Sequence, residues 1–263
     1  MDLGLKNKLC LVTGATGGLG RATADLLASE GARVWLTDVD ESKVAELSGD
    51  PRFLGGSVAD LTRQDEVDAL AERLAEHGGA DVVVHAAGVT GAKGHPLEMS
   101  DEDWREAWDI DFMSAVRVSR AFVPVMQRKG WGRAVFVTSE NAVQPYADEA
   151  VYNTAKAALS SFARSLAHVA GPDGVLVNAV APAFVKSPMT DQMMRSRAEK
   201  LGVSMDEAVD GFLAEERPNL VLRRRGRPEE VAAVIGLLCS EAASFTLGSA
   251  YRVDGGAVAT VDG

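Results

Sequence analysis

The sequence predicts an α/β fold with one doubly wound parallel sheet of about seven strands. Two observations support this prediction. Short apolar runs alternate with amphipathic helical stretches from end to end, and the first apolar run breaks into a glycine-rich loop that leads into a helix. The length of 263 residues suits one domain, and residues 1–263 contain no recognisable linker or low-complexity segment.

The first strand, loop and helix have the order of a Rossmann-type dinucleotide-binding unit. An apolar run at residues 8–13 precedes the glycines of residues 14–20, a helical pattern covers 21–30, and a second apolar run at 33–38 ends in Asp38. Glycines let the backbone approach a pyrophosphate at the helix N-terminus. A carboxylate at Asp38 can accept hydrogen bonds from the adenosine ribose and would repel a 2′-phosphate, which predicts NAD as the cofactor. A purely structural glycine turn is the alternative.

The alternation continues along the rest of the chain. The run at residues 81–84 is almost entirely apolar, as expected for a strand that is buried on both faces of a parallel sheet. Further strands are predicted at residues 52–58, 134–138, 175–180 and 248–254, and further helices at residues 62–77, 104–129, 155–166 and 229–240.

A long excursion, residues 187–227, interrupts this rhythm. It contains two amphipathic segments, 191–201 and 205–216, and follows the carboxyl end of a predicted strand, where substrate sites lie in this architecture. We interpret it as a candidate substrate lid. A helical hairpin that only covers the core is the alternative. Its apolar side chains predict a mixed or apolar pocket: Met189, Met193, Met194, Phe212 and Leu213.

Tyr152 and Lys156 are four residues apart, where the chain leads from the predicted strand 134–138 into the predicted helix 155–166. This spacing places both side chains on one helix face. A nearby ammonium favours the phenolate and lowers the pKa of a tyrosine, so this Tyr could exchange a proton near neutral pH. Taken alone, the pair also fits an ordinary surface Tyr and Lys.

Composition narrows the range of partners. The formal net charge of −11 argues against nucleic acid and against an anionic membrane, and the short basic run at residues 223–227 is interpreted as solvated or ion-paired surface. Cys10 and Cys239 lie in apolar segments and do not have the spacing of metal ligands, so we expect core positions and no metal. The N-terminus lacks the apolar stretch of a signal peptide, which leads us to expect a cytoplasmic protein.

With these motifs in place, residues 5–256 resemble the short-chain dehydrogenase/reductases, in particular the short single-domain branch that includes 3-oxoacyl reductase-like members. Residues 13–20 are similar to the T-G-x-x-x-G-x-G loop of that branch. Gly14, Gly17 and Gly20 also fit the G-x-x-G-x-x-G of the longer epimerase branch. The chain length and the closing motifs at 226–231 and 248–256 favour the short branch.

The resemblance implies roles for individual residues. Tyr152 would be the acid/base, Ser139 would hold the substrate oxygen, and Lys156 would bind the nicotinamide ribose and lower the pKa of Tyr152. Asp60 and Leu61 would meet the adenine, and Val185 and Ser187 the nicotinamide carboxamide. The full cofactor-binding set expected from the resemblance is Gly14, Thr16, Gly18, Leu19, Gly20, Asp38, Asp60, Leu61, Ala86, Gly88, Tyr152, Lys156, Val185 and Ser187.

Three segments of the chain depart from the family pattern. Residues 85–88 read His-Ala-Ala-Gly in place of Asn-Asn-Ala-Gly, and we expect His85 to be a core histidine. Ala183 replaces a glycine after the sixth strand. Asp111 stands where the family usually has an Asn that supports proton relay to the Lys. We therefore include Asp111 among the catalytic candidates, with activity expected to be retained.

The leading hypothesis is an NAD-dependent oxidoreductase that acts on a secondary alcohol or its ketone. A non-catalytic NAD-binding sensor or scaffold is the alternative, and a lyase or epimerase that uses the same Tyr is a third interpretation. The expected partners are a small-molecule substrate and further copies of the chain. The resemblance implies a homotetramer, or a homodimer, that uses helices 104–129 and 152–170 and the last strand.

Overall fold

Seven parallel strands form one sheet in the computed structural model of the protein, which describes residues 2–260. Their spatial order is β3-β2-β1-β4-β5-β6-β7, so the chain direction across the sheet reverses between β1 and β4. This confirms the predicted doubly wound, single-domain α/β fold. The strands are β1 (Leu9–Thr13), β2 (Arg33–Asp38), β3 (Gly55–Val58), β4 (Val82–His85), β5 (Gly132–Val137), β6 (Val175–Pro182) and β7 (Ala250–Val253).

Helices cover both faces of the sheet and create two cores. The α-helices are α1 (Gly18–Ser29), α2 (Glu41–Ser48), α3 (Gln64–Ala75), α4 (Asp101–Trp108), α5 (Ser114–Lys129), α6 (Ala150–Ala170), α7 (Pro188–Leu201), α8 (Met205–Glu216) and α9 (Pro228–Cys239). In β1, Leu9 and Leu11 point into the core under α3, α5 and α6, whereas Cys10 and Val12 point into the core under α1 and α9. This alternation follows from the two-residue period of a strand. Cys239 is buried in the second core too, as expected.

Helix α2 was not predicted from the sequence. Asp40 caps it by accepting a hydrogen bond from the Lys43 backbone N–H, and only Val44 and Leu47 are buried. A helix of 8 residues with two buried side chains presents too little periodicity to be recognised in a window of about 11–18 residues.

The predicted helix at 104–129 is in fact two helices joined by a π-helical turn, Asp109–Met113. Helix α4 begins earlier than expected, because Ser100 and Asp103 form a capping box. Asp111 lies in the π-helical turn and is fully buried. Turns of this kind insert an extra residue and occur often at functional sites, but apolar periodicity does not reveal them.

The excursion 187–227 contains both predicted helices, α7 and α8. They enclose a small apolar core that includes Met194, Phe212 and Leu213. The base of the excursion is closed by backbone hydrogen bonds, since Gly226 donates to Phe184 and accepts from Lys186. The hairpin is therefore attached at a fixed base beside the carboxyl end of β6.

Within residues 2–260, every helix is too short or too polar to span a membrane.

Candidate active site

The glycine-rich loop connects β1 to α1 at the carboxyl edge of the sheet. Gly14 has a φ of +62°, and a Cβ there would lie 2.8 Å from the Ala86 carbonyl group. Gly17 is the N-cap of α1, and no side chain caps the backbone N–H groups of the first turn. The first turn of α1 therefore keeps backbone N–H groups and the positive end of the helix dipole available to an anion.

A cleft of about 1010 Å³ opens beside this loop, where the strand order reverses. Most of the predicted cofactor-binding residues line it: Gly14, Thr16, Gly18, Leu19, Gly20, Asp38, Asp60, Leu61, Ala86, Gly88 and Ser187. The opposite wall is formed by Glu102, Arg105, Glu106, Trp108, Asp109, Ile110 and Met189, of which the sequence indicated only Met189, through the predicted lid. That wall comes from α4, the π-helical turn and α7, whose positions depend on tertiary packing.

Asp38 is held in place at the end of β2. Its Oδ2 accepts hydrogen bonds from the Thr16 backbone N–H at 2.9 Å and the Thr16 hydroxyl at 2.7 Å. Its Oδ1 accepts from the Val39 backbone N–H at 2.8 Å. Uncharged partners thus fix the carboxylate at the cleft, as a ribose-binding acid requires.

Asp60 is fixed in a similar way at the next strand end. Its Oδ1 accepts from the Thr62 backbone N–H at 2.9 Å and the Thr62 hydroxyl at 2.7 Å. The adjacent Leu61 is buried in the first core and still contributes to the cleft wall.

His85 is a core histidine, as expected. The Thr13 hydroxyl accepts from the backbone N–H groups of Ala86 and Ala87, which leaves its own proton for His85 Nδ1 at 3.1 Å. His85 Nε2 then donates to the Ser114 hydroxyl. Burial, assisted by the charge of Lys156, lowers the pKa of His85 to about 3. The imidazole is therefore neutral, and both of its nitrogens make hydrogen bonds at the end of β4.

Asp111 and Lys156 form a buried ion pair, with Asp111 Oδ1 3.1 Å from Lys156 Nζ. Asp111 Oδ1 also accepts from the Val89 backbone N–H at 3.1 Å. A Cβ at Gly88 would come within 2.5 Å of Asp111 Oδ1, so only glycine leaves room for the pair. Asp111 Oδ2 is buried without a hydrogen-bond partner among the described residues.

The protonation of this pair reflects opposing effects. Burial raises the pKa of Asp111, although the Lys156 charge opposes the rise. Burial also disfavours the Lys156 ammonium, but the Asp111 carboxylate outweighs it and the pKa of Lys156 is raised. Lys156 is therefore held as a cation, with a hydrogen bond to the Val137 carbonyl at 3.4 Å.

Tyr152 lies one turn from Lys156 on α6, with the ammonium 5.5 Å from the ring centroid. The spacing predicted a lowered phenol pKa, and this expectation is wrong for the structure as it stands. Burial raises the pKa of Tyr152, Lys156 lowers it, Asp111 raises it and a hydrogen bond with Ser139 lowers it. The net direction is upward, because burial and the Asp111 charge together outweigh Lys156.

Ser139 lies two residues after β5 and is the N-cap of the 3₁₀ turn Glu140–Ala142. Its Oγ accepts from the Asn141 backbone N–H at 3.2 Å, and its proton has two side-chain acceptors, Asn141 Oδ1 at 3.0 Å and Glu140 Oε2 at 3.3 Å. A backbone donor thus orients the hydroxyl oxygen, and its proton can turn from these side chains to another acceptor.

A cluster of charged and polar side chains, buried except for the exposed Lys93, adjoins Ser139 and was not recognised from the sequence. We call it the Arg217 cluster, comprising Lys93, Glu140, Asn141, Glu149 and Arg217. No motif in the sequence singles out Glu140, Asn141 or Glu149. The available signal was the pair of acids flanking a proline-containing loop directly after a buried strand.

Val185 and Ser187 both lie near the cleft, but only Ser187 contributes to its wall. Ser187 lines the cleft, and its hydroxyl caps α7 by accepting from the Thr190 backbone N–H. Val185 packs in the second core and is absent from the cleft wall, and its carbonyl accepts from the Thr190 hydroxyl at 2.8 Å. Ser139, Tyr152 and Lys156 likewise lie beside the cleft rather than in its lining.

The arrangement suits a dinucleotide. Uncapped N–H groups, a tight glycine cradle and a fixed acid lie along one cleft. Within residues 2–260, no group of three His, Cys, Asp or Glu side chains is placed to hold a metal ion. The fold and the cleft together define a dinucleotide-binding α/β protein.

Comparison with known proteins gives the family. The family model described as enoyl-(acyl carrier protein) reductase matches residues 14–258. A pig protein, dehydrogenase/reductase SDR family member 4 (Sus scrofa), is 31% identical over 258 residues, covering 96% of this chain and 88% of the pig protein. The chain belongs to the short-chain dehydrogenase/reductase family of oxidoreductases, whose cofactors are nicotinamide dinucleotides.

Two further relatives match along nearly the whole chain. The protein named uncharacterized oxidoreductase YvrD of Bacillus subtilis (strain 168) is 35% identical over 262 residues, covering 98% of this chain and 99% of YvrD. The crystal structure of L-sorbose reductase from Gluconobacter frateurii, complexed with NADPH and L-sorbose, superposes with a TM-score of 0.93. That protein is 32% identical, and the match covers 99% of this chain and 100% of the other.

Proposed function

We propose that this protein transfers a hydride between NAD(H) and a secondary alcohol or its ketone. The observation that carries the proposal is the position of Lys156, whose Nζ would lie 2.9 Å from a Cβ at Gly88 in the cleft wall, with Tyr152 one helical turn away and hydrogen-bonded to Ser139. The nicotinamide, when bound, supplies or accepts the hydride. The protein aligns the reactants and moves the accompanying proton.

Tyr152 is the proposed acid/base. Its raised pKa keeps the phenol protonated near neutral pH, and the protonated phenol is the form that donates to a ketone oxygen. The Lys156 charge stabilises the phenolate that remains, and it would also serve the reverse direction, in which the phenolate accepts a proton from an alcohol. Lys156 is in addition the proposed ligand of the nicotinamide ribose.

Ser139 is the proposed holder of the substrate oxygen. Because its Oγ already accepts from the Asn141 backbone N–H, its proton can turn from Asn141 Oδ1 to a substrate oxygen without leaving the serine oxygen unsatisfied. This geometry favours a substrate with a carbonyl or hydroxyl group at the reacting carbon.

Asp38 supports NAD over NADP. The carboxylate is fixed by Thr16 and Val39, neither of which carries a positive charge that could bind a 2′-phosphate. The L-sorbose reductase relative was crystallised with NADPH, so the proposal of NAD for this chain rests on Asp38 and its surroundings. Tighter binding of NADPH than of NADH would contradict this assignment.

The excursion 187–227 is the proposed substrate lid. Met189 at the start of α7 lines the cleft and lies against Thr90, whose hydroxyl is 3.9 Å from the Met189 sulfur. The lid thus touches the loop after β4 on the side where a substrate would enter.

A cytoplasmic homotetramer is the proposed form of the protein. Strand β7 is at an edge of the sheet, and near it Phe245 and Leu247 are exposed. Val169 on α6 and Trp108 on α4 are exposed as well. Exposed apolar side chains on an edge strand and on helix surfaces are expected where copies of a chain pair. The two free thiols are in keeping with a reducing compartment.

A non-catalytic NAD-binding protein is the second candidate, favoured by the Asp111–Lys156 pair, which ties up the ammonium. One experiment separates the two. Purified protein is titrated with NADH and NADPH and then assayed with NAD against a panel of secondary alcohols, including polyols. We expect tighter NADH binding and reduced cofactor with at least one alcohol. Tight NADH binding with no turnover of any alcohol or matching ketone would favour the non-catalytic alternative.

A further inference from the structure

The Arg217 cluster connects three parts of the chain that are distant in sequence. Arg217 follows the last residue of α8, Glu140 and Glu149 lie in the loop that contains Ser139, and Lys93 lies in the loop after β4. The guanidinium Nη2 of Arg217 is 3.0 Å from Glu149 Oε1, and its Nε is 3.9 Å from Glu140 Oε1. Lys93 Nζ donates to the same Glu149 oxygen at 2.5 Å.

Arg217 is held from several directions. Its side chain is only 9% exposed, and its guanidinium stacks on Tyr146, 3.6 Å from the ring centroid. Its Nη1 donates to the Glu216 carbonyl. An arginine that is buried, stacked and paired in this way fixes the position of the segment that carries it. Here that segment is the end of the proposed lid.

From Arg217 a continuous chain of contacts leads to Ser139. Glu149 Oε2 accepts from Asn141 Nδ2 at 2.6 Å. Asn141 then exchanges two hydrogen bonds with Ser139, one through its backbone N–H and one through its side-chain oxygen. The second side-chain proton of Asn141 goes to Asn153 on α6, one residue after Tyr152. The end of the lid is therefore connected to the Ser139 hydroxyl and to Asn153, the residue next to Tyr152.

We propose that Arg217 is a positioning residue, which ties the end of the lid to Glu140 and Glu149 and through Asn141 sets the orientation of the Ser139 hydroxyl. The proposal rests on the proposed function, since it concerns the geometry of that reaction. It assigns Arg217 no contact with substrate or cofactor.

Glu140 gives this link a dependence on pH. The charged and titratable groups around it are Arg217 from the lid, Glu149 and Tyr146 from its own loop, and Tyr152 from α6. Burial raises the pKa of Glu140 to about 7, and Arg217 opposes the rise. Above this pH the two carboxylates balance Arg217 and Lys93. Below it Glu140 is neutral and holds Arg217 less strongly.

The test uses the full-length protein and three arginine variants. Arg217→Met removes the link between the end of the lid and the two glutamates. Arg217→Lys keeps the positive charge but lacks the planar guanidinium group. Arg224→Met is the matched control, because Arg224 also lies in the excursion but pairs with exposed Glu230 on α9. Steady-state kcat, KM and NADH affinity are measured for each, with hydrogen exchange followed in residues 139–149 and 205–216.

We expect Arg217→Met to lower kcat by about 10–100-fold, as for a misplaced reacting group, with NADH affinity unchanged. Arg217→Lys should recover part of that loss, and Arg224→Met should behave as the parent protein. Exchange should rise in both segments only in Arg217→Met. In the parent protein kcat should fall as the pH drops through about 7, and Glu140→Gln should remove this step.

Faster exchange confined to residues 205–216, or an equal loss of kcat in Arg224→Met, would overturn the proposal. If the fall in kcat below about pH 7 persists in Glu140→Gln, the part of the proposal assigned to Glu140 is overturned. If the parent protein turns over no substrate, the proposed function fails, and the exchange data still decide whether Arg217 links the two segments.

Discussion

Asp111 changes what Lys156 can do for Tyr152. In the Tyr–Lys pair alone, the ammonium would lower the phenol pKa. The buried carboxylate 3.1 Å from Lys156 Nζ holds the lysine as a cation, yet its own charge acts on Tyr152 in the opposite sense. Function at the residue scale thus depends on three titratable groups, in which Lys156 lies between the phenol of Tyr152 and the carboxylate of Asp111.

Asp111→Asn should shift the pH dependence of alcohol oxidation. Removing the anion removes an effect that raises the pKa of Tyr152, so the acidic limb of kcat/KM, which requires phenolate, should move to lower pH. Turnover at saturating cofactor should change by less than about tenfold, or ~1.4 kcal/mol. Asp109→Asn, in the same π-helical turn but paired with Arg117, is the control. A much higher turnover in Asp111→Asn would show that the natural carboxylate impairs the site.

Glu140 should make the protein less stable as the pH rises from about 4.5 to about 7. Its pKa is raised in the folded state, so folding takes up a proton in this interval and stability falls with pH. A rise from 4.5 to about 7 corresponds to about 3 kcal/mol at ~1.4 kcal/mol per unit.

Urea unfolding of the parent protein and of Glu140→Gln measures this effect. The free energy of unfolding of Glu140→Gln minus that of the parent protein should be about 2 kcal/mol larger at about pH 8 than at about pH 5. An equal difference between the two proteins at both pH values would mean that Glu140 does not hold a raised pKa.

At the scale of elements, local sequence rules placed the strands and most helices but not the π-helical turn or α2. Strand β4 begins with three valines, as expected for a strand that helices cover on both faces of the sheet. Helix α8 begins at Met205, inside a Ser-x-x-Glu capping box. The π-helical turn depends on the packing of α4 and α5 against α6, and no residue type in the sequence indicates it. Tertiary contacts likewise assembled the Arg217 cluster, whose members are up to 124 positions apart in the chain.

The capping box of α8 offers a test of the lid as a separate element. Ser204 accepts from the Glu207 backbone N–H, and Glu207 accepts from the Ser204 backbone N–H. Ser204→Ala should destabilise α8 by about 1 kcal/mol. Hydrogen exchange in residues 205–216 should accelerate while the sheet remains protected. Accelerated exchange throughout the sheet would instead indicate that the hairpin and the sheet unfold as one unit.

At the scale of the whole molecule, the cleft lies where the strand order reverses, and the sequence predicted most of its inner wall. Residues at strand ends are predictable because parallel strands all end at one edge of the sheet. The outer wall from α4 was not predictable, since it depends on how distant helices pack, whereas Met189 of α7 was among the lid side chains expected to line a pocket. The surface also carries exposed apolar residues near β7, which the fold alone does not explain.

These exposed residues predict self-association. Light scattering should give four times the chain mass of 27.7 kDa. Phe245→Asp should shift the distribution to smaller species, because a charge replaces a fully exposed aromatic side chain beside the edge strand. Leu97→Asp, at an exposed apolar residue on a distant loop, is the control. A monomer at all concentrations would contradict the predicted assembly.

The most direct test of the proposed chemistry is Tyr152→Phe. The substitution removes only the phenolic oxygen, so the ring and the neighbouring Lys156 are retained. With a substrate that the parent protein accepts, the rate of hydride transfer should fall by about 10²–10⁴-fold, the usual contribution of an acid/base, while NADH binds with an unchanged Kd. A Tyr152→Phe protein that binds NADH and turns over substrate at the parent rate would contradict the assignment of Tyr152 as the acid/base.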